Sequence, residues 1–196
     1  MENRITALTN PRIRRITALQ TRARVRRQEQ AFVTEGLRLF SDTPEAFIEE
    51  VYCTEAFASD PRNAAKLART GYTLVPPELL GRISDTMTQQ GVLCVVRTPS
   101  YSLPELLGGQ GRRPLLLVLE DVQDPGNLGT MFRTAKAAGA TGILMSRGTV
   151  DVTNPKTVRA TMSSIFRVPF CYTDELPENL RRLKRRGIRI CAALLR

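Results

Sequence analysis

The sequence predicts an α/β chain in two parts: a small mixed unit, then a more regular parallel sheet with covering helices. In the first half, short apolar runs alternate with helical stretches. Residues 98–113 then interrupt the pattern with two prolines and three glycines before Pro114. After them strands and capped helices alternate strictly, the order of a parallel sheet with right-handed crossovers. The expected division is residues 1–97, a linker over 98–113, and residues 114–196.

The elements follow in order. Asn10 to Gln30 reads as one helix, with Asn10 as N-cap, Pro11 in the first turn, and Ile13, Ile16 and Leu19 as its apolar stripe. Ala31–Val33 is an expected strand, followed by Glu35-Gly36 and a short helix through Arg38 to Phe40. Ile48–Cys53 reads as a strand, Asn63–Arg69 as a helix stopped by Gly71, and Tyr72–Val75 as a strand. Pro76–Ile83 reads as a helix and Gly91–Val96 as an apolar strand. In the second part, Leu115–Leu119 is a continuous apolar run, as in a strand covered on both faces. A helix is expected over Leu128–Ala138, a strand over Gly142–Ser146 and a helix opened by Asn154-Pro155. A strand over Arg167–Tyr172, a helix with the stripe Leu176, Leu180 and Leu183, and a fourth strand over Ile188–Leu195 complete the pattern.

Composition narrows the chemistry. The chain of 196 residues has a net charge of +10, carried by 25 arginines against 4 lysines. Guanidinium pairs bidentately with phosphate and stacks on bases, so nucleic acid is the leading polyanionic partner. Nine arginines against three acids fall within residues 1–38, and Arg12, Arg15, Arg26 and Arg27 are expected to meet phosphate there. The alternative is a solvated helix face. Histidine is absent, which excludes Ser-His-Asp and Cys-His catalysis. The four cysteines form no C-x-x-C pair, so no metal site is expected, and free thiols in a reducing cytoplasm are the simpler reading. No run has the ~20 apolar residues that span a bilayer, and no membrane partner is expected.

The informative stretch is Leu115–Ser146. A strand ends in Glu120-Asp121, and the turn Asp124-Pro125-Gly126-Asn127 leads into a helix through Gly129. Ligands of open α/β sheets bind beyond the carboxyl ends of strands, where this turn lies. Asn127 is expected to cap the helix, and Arg133 lies about a turn and a half in, on the side of Thr130 and Ala137. The spacing is neither a dinucleotide fingerprint nor a P-loop. Taken by pattern alone, a well-capped turn with a surface arginine accounts for it equally well.

DPGNLGTMFRTAKAAGATGI resembles the first motif of the TrmH-like SPOUT RNA 2′-O-ribose methyltransferases, and Asn154–Phe170 resembles their second block. Phe32–Phe40, with Ile83-Ser84-Asp85 and Gln90-Gly91-Val92, resembles the small substrate-binding domain that precedes the catalytic domain in many members. Thr161 and Ser163 stand where the family more often has Ser and Gly, and Gln89 where Pro is frequent.

The resemblance implies a small N-terminal α/β substrate-binding domain followed by an incomplete SPOUT domain, a Rossmann-like parallel sheet. The family's two later motifs, a Gly-rich loop and a Ser-Leu-Asn helix start, form a trefoil knot that holds S-adenosylmethionine. They have no counterpart before Arg196, which leaves Ala193 as the expected remnant of the donor site. By resemblance, Asn127 and Arg133 are the catalytic pair. Glu35 and Arg38 join the substrate contacts, ribosomal RNA is the substrate, and relatives are homodimers through the knotted region. Lys156 and Arg159, on the next helix, read equally as phosphate contacts or as a solvated helix face. Arginine stays protonated, so the role expected of Arg133 is to orient the 2′-oxygen and stabilise the alkoxide developing on it, with Asn127 fixing the turn. The alternatives are an RNA-binding protein that has lost methyl transfer, or an unrelated nucleotide-binding α/β protein that converged on the turn.

Overall fold

A computed structural model describes residues 3–86, 88–109 and 111–193. Two short helices open the chain, α1 (Pro11–Thr21) and α2 (Ala23–Glu29). The sequence suggested one helix here. The chain breaks at Arg22, whose backbone is extended with φ −122° and ψ 105°. Asn10 caps α1 as expected by accepting from Arg12 N, and Ile13, Ile16 and Leu19 are buried.

There follow β1 (Ala31–Glu35), α3 (Leu37–Asp42), a 3₁₀ turn (Glu45–Phe47), β2 (Ile48–Cys53), α4 (Glu55–Ala58) and α5 (Pro61–Thr70). Then come β3 (Thr73–Leu74), α6 (Pro77–Ile83) and β4 (Val92–Arg97). The four strands pair in the order β1-β4-β2-β3, antiparallel except for β2 with β3. Because successive side chains alternate between faces, the sheet has two apolar sides. Val33, Tyr52, Leu93 and Val95 meet α1 and α6, while Phe32, Val51, Cys94 and Val96 meet α3 and α5.

The connection over 98–113 is more structured than a linker. Ser102 and Glu105 form a capping box that opens α7 (Leu103–Leu106). Leu106 is fully buried over Gly142, where an added Cβ would lie 2.5 Å from Leu106 Cγ.

Next come β5 (Leu116–Leu119), α8 (Pro125–Ala137), β6 (Gly142–Ser146), α9 (Pro155–Thr161), a 3₁₀ turn (Ser164–Phe166), β7 (Phe170–Thr173) and α10 (Leu176–Arg185). The sheet β5-β6-β7 is wholly parallel. Leu106, Leu144 and Leu176 cover one face. On the other, Leu128, Phe132 and Val158 join a core that runs without a break into Phe32, Val51 and Val96 of the first sheet.

Two expectations are corrected. Residues 188–193 form no strand: they are largely exposed, and Ile190 is 42% accessible. The last three residues of that expected strand lie outside the described residues. Strand β5 has a neighbour on one side only among the described residues and is half-buried rather than covered on both faces. Cys53 and Cys94 are buried as expected, and burial pushes both thiols up to about 12, but Cys191 is exposed with the segment that carries it.

Contact between α8 and α9 depends on Gly129. A Cβ there would lie 2.3 Å from Ala160 Cβ and 2.9 Å from Thr161 N. Gly129→Ala should therefore force the two helices apart and destabilise the fold by about 1–3 kcal/mol, despite alanine's better helix propensity. Urea unfolding measures this, and an unchanged or raised midpoint would contradict the packing.

Candidate functional site

The first turn of α8 is built by Asp124, not Asn127. Asp124 Oδ1 accepts from Asn127 N at 2.7 Å, and Pro125 supplies the first helical position. Helix α8 thus starts at Pro125, earlier than the expected Leu128. The Asn127 side chain stands exposed in the first turn, and its amide makes no hydrogen bond among the described residues. Leu128, Gly129, Phe132 and Ala135 take the buried face, which leaves Thr130, Arg133, Thr134, Lys136 and Ala137 toward solvent.

Arg133 is exposed and has no ion-pair partner among the described residues. It lines an open groove of about 590 Å³ with Arg38, Lys136, Met162 and Ser164. Arg38 comes from the other unit, on α3. Gly36, at φ +97°, turns the chain into that helix, and Gln90 Oε1 accepts from Leu37 N at 2.9 Å. The far end of α3 is held by Lys66, whose Nζ donates to the carbonyls of Phe40, Ser41 and Thr43. Arg38 itself is 65% exposed, with Asp42 a loose partner at 3.9 Å. On the opposite wall Met162 and Ser163 adopt left-handed backbone, φ 46° and 71°, which turns the chain after α9 toward the groove. The groove lining holds three cations and no carboxylate.

The remaining predicted residues are not brought here. Arg12 Nε donates to Glu50 and lies 5.1 Å over the Tyr52 ring. Arg15 donates to Glu29, Glu49 and Glu50. In this structure both guanidiniums tie α1 to the sheet and to the end of α2, which accounts for much of the basic charge read as phosphate-seeking. Arg26 is only 4% exposed: it donates to Asp151 Oδ2 at 2.7 Å and to Leu19 O at 2.9 Å, so it faces inward rather than toward a partner. Glu35 is an internal acceptor, taking Ser84, Thr86 and the amide of Asp85. That order places Asp85 against Arg159, linking the units a second time. Arg27 and Lys156 are exposed.

Ala193, the expected donor contact, lies exposed in the irregular segment 188–193. It stands in no strand and is exposed, so the described residues do not fit a methyl-donor cradle. Among them no cluster of three or more His, Cys, Asp or Glu side chains is placed to hold a metal ion.

The sequence alone assigned no role to Lys136, Asp85 or Asp151. Lys136 carried a signal, since it lies one turn beyond Arg133 on the exposed face. The two aspartates carried none, because their partners are distant in the chain.

Similarity to known proteins agrees with this geometry. Residues 114–196 match the model described as SpoU rRNA Methylase family, and residues 10–94 match the MRM3-like substrate binding domain. The crystal structure of an AdoMet-bound rRNA methyltransferase from Sinorhizobium meliloti superposes with a TM-score of 0.77 at 30% identity, over 93% of this chain and 68% of that one. This chain belongs to the SpoU rRNA methylase family. Human mitochondrial rRNA methyltransferase 3 is 31% identical over 81% of this chain. The 23S rRNA (guanosine(2553)-2′-O)-methyltransferase RlmP of Bacillus subtilis is 30% identical over 87% of it. The chain spans 40% of the human relative's length and 65% of the Bacillus relative's.

In this member of the SpoU family charge ties α1 to the first sheet, through Arg12, Arg15 and Glu50. Burial alone would raise the Glu50 carboxyl, but hydrogen bonds from Tyr52 and Arg12 outweigh it and hold Glu50 below the usual glutamate range. Tyr52 is driven above its ordinary value by burial and by Glu50. A depressed carboxylate contributes stability above its unfolded value, and the contribution disappears as pH falls through the lower folded value. The wild-type melting temperature should therefore drop as pH falls below the ordinary glutamate value of 4.5. Glu50→Gln should melt lower at neutral pH and show a flatter acid limb. Parallel acid limbs in thermal melts of the two proteins would show that Glu50 carries no such linkage.

Proposed function

We propose that this protein binds ribosomal RNA and takes part in methylation of a ribose 2′-oxygen, with S-adenosylmethionine as donor. The observation that carries the reading is the free guanidinium of Arg133 in a carboxylate-free groove opposite Arg38. The donor enters through the relatives, one of which is described as AdoMet-bound and another as a 2′-O-methyltransferase.

The described residues supply the acceptor side. Arg38 and Lys136 hold the RNA backbone on either side of Arg133, because phosphate contacts set register and orientation. Arg133 then offers a fixed, permanently charged donor to the 2′-oxygen. Such a donor stabilises negative charge as it develops and needs no reorganisation at the moment of reaction. The hydroxyl proton passes to a neighbouring RNA phosphate, and the methyl leaves the sulfonium sulfur, which becomes a neutral thioether. Asn127, exposed in the first turn of the same helix, is placed to orient the sugar or the neighbouring phosphate.

Arg159 is already engaged by Asp85, so its role in this reading is to set the angle between the units rather than to touch RNA. Ribosomal RNA is favoured over transfer RNA by the small N-terminal unit, whose model match is to a substrate-binding domain.

The test separates binding from chemistry. Arg38→Gln and Arg133→Gln should each weaken binding of a ribosomal RNA fragment and reduce the slope of log affinity against log salt by about one. Arg133→Lys keeps the charge and should bind RNA nearly as tightly, while transfer of labelled methyl from S-adenosylmethionine falls by about 10²-fold or more. Full transfer by Arg133→Lys would remove the proposed role, and unchanged salt slopes would remove the groove.

A further inference from the structure

A second recess, sharing no residue with the Arg133 groove, opens between the two units at the outer edge of β7. It encloses about 350 Å³, a size that takes a small ligand. One wall is the end of α2 with Arg27, and another is the chain leaving β4 through Tyr101. The floor is Phe170 and Tyr172, and Arg147 stands at the rim.

Three features point to one ligand chemistry. The first is a bare main-chain edge. In a parallel ladder alternate residues direct their N–H and C=O to opposite sides. Pro169 and Thr173 accept from Ile143 and Arg147 across β6, so the main-chain groups of Phe170 and Tyr172 face away from β6. Strand β7 is the last of its sheet on that side, and residues 170–172 line the recess.

The second feature is aromatic: Tyr101 lines the recess with its ring 6.2 Å from that of Phe170 and edge-on to it. The third is charge. Arg27 is exposed and has no carboxylate partner among the described residues. Among the described residues Arg147 pairs only with Asp174, and those side chains are 63% and 69% exposed, a pair weak enough to yield to phosphate. Asp151, the carboxylate in the lining, is occupied by Arg26 and by the amide and hydroxyl of Thr153.

We infer that this recess binds a nucleotide. Its base lies against Tyr101 with an edge hydrogen-bonded to the main chain of β7, and its phosphate lies on Arg27 and Arg147. The donor and acceptor of one strand residue match the paired donor and acceptor of a base edge, while base stacking tolerates any sequence. An acidic peptide added to β7 would use the same edge, but β7 offers only four residues and the recess closes around an aromatic wall that a peptide backbone does not need. As a nucleotide of the RNA, lifted from its neighbours, the ligand would give the protein a second hold on its substrate. That form rests on the RNA reading above, and a free nucleotide is the other source of the same chemistry.

Anisotropy of a short fluorescein-labelled single-stranded RNA, with circular dichroism of each variant as the control for folding, tests both sites. The recess variants are Arg27→Gln with Arg147→Gln, and Tyr101→Leu; the groove variant is Arg38→Gln with Arg133→Gln. The expected result is about a tenfold loss of RNA affinity in each recess variant, as for loss of one stacked base or two phosphate contacts. Calorimetry with AMP and GMP reads the other source: nucleotide binding that the recess variants abolish while RNA affinity stays unchanged supports the recess as a free-nucleotide site. Recess variants that bind RNA and nucleotide like wild type, beside a weakened groove variant, would overturn the inference and leave the RNA reading intact. Wild-type binding of both RNA and nucleotide by all variants would overturn both. A glutamate-rich peptide that binds the recess while RNA and nucleotide do not would overturn it in favour of strand addition.

Discussion

The site depends on the seam between the two units. Phe166, in the 3₁₀ turn after α9, stacks on Phe32 of β1 with ring centroids 6.0 Å apart and meets Phe47 at the same distance. Aromatic pairs of this kind add about 0.5–1.5 kcal/mol to what their buried area contributes. They also join two hydrophobic cores into one. Ion pairs flank the seam: Arg26 with Asp151 on one side and Arg159 with Asp85 on the other. Removing one partner of a buried pair such as Arg26–Asp151 costs about 3–5 kcal/mol, far more than the intact pair contributes net. Such contacts define an orientation better than they add stability. Here the orientation brings Arg38 of one unit to the groove of Arg133 on the other.

The arginines divide by the carboxylates within their reach. Along α1, Arg12 and Arg15 meet Glu49 and Glu50 of β2, a strand more than thirty residues away. Arg15 is held above the ordinary arginine value: burial opposes the charge, but the hydrogen bonds it donates to Glu29 and Glu49 outweigh it. No carboxylate lines the groove of Arg133 on α8, and its guanidinium remains available to an external anion. Net charge therefore overstates the surface free to meet an external anion, and the free cations concentrate in fewer places than the sequence suggests.

Local rules explain why the groove has its shape. Gly36 supplies the positive φ that starts α3, and Lys66 holds that helix's last carbonyls even though burial lowers its own pKa. Gly129 lets α8 approach α9. Ser163, where the resemblance favours glycine, takes the left-handed backbone that glycine would adopt without strain. Its buried hydroxyl makes no hydrogen bond among the described residues. The chain keeps the turn and accepts some strain in a wall of the groove.

Much of this was legible in the sequence because it is local. Helix starts at Asn10 and Asn154, the stop at Gly71, strand β2 and strand β6 follow from capping chemistry and apolar periodicity within a few residues. Arg133 and Arg38 were nameable from their motifs alone. The N-cap of α8 was missed by three residues because Asp124 and Asn127 are both good caps, and only the backbone decides which side chain accepts. The break at Arg22, the order β1-β4-β2-β3 and the burial of Arg26 depend on partners far along the chain. Whether Ile188–Leu195 pairs as a strand likewise depends on a neighbour, not on its own apolar residues, and residues 188–193 remain unpaired. Sequence determined which residues could be helix, strand, cap or cation. Tertiary structure decided which cations stay free, because an arginine's role is set by the nearest carboxylate in space.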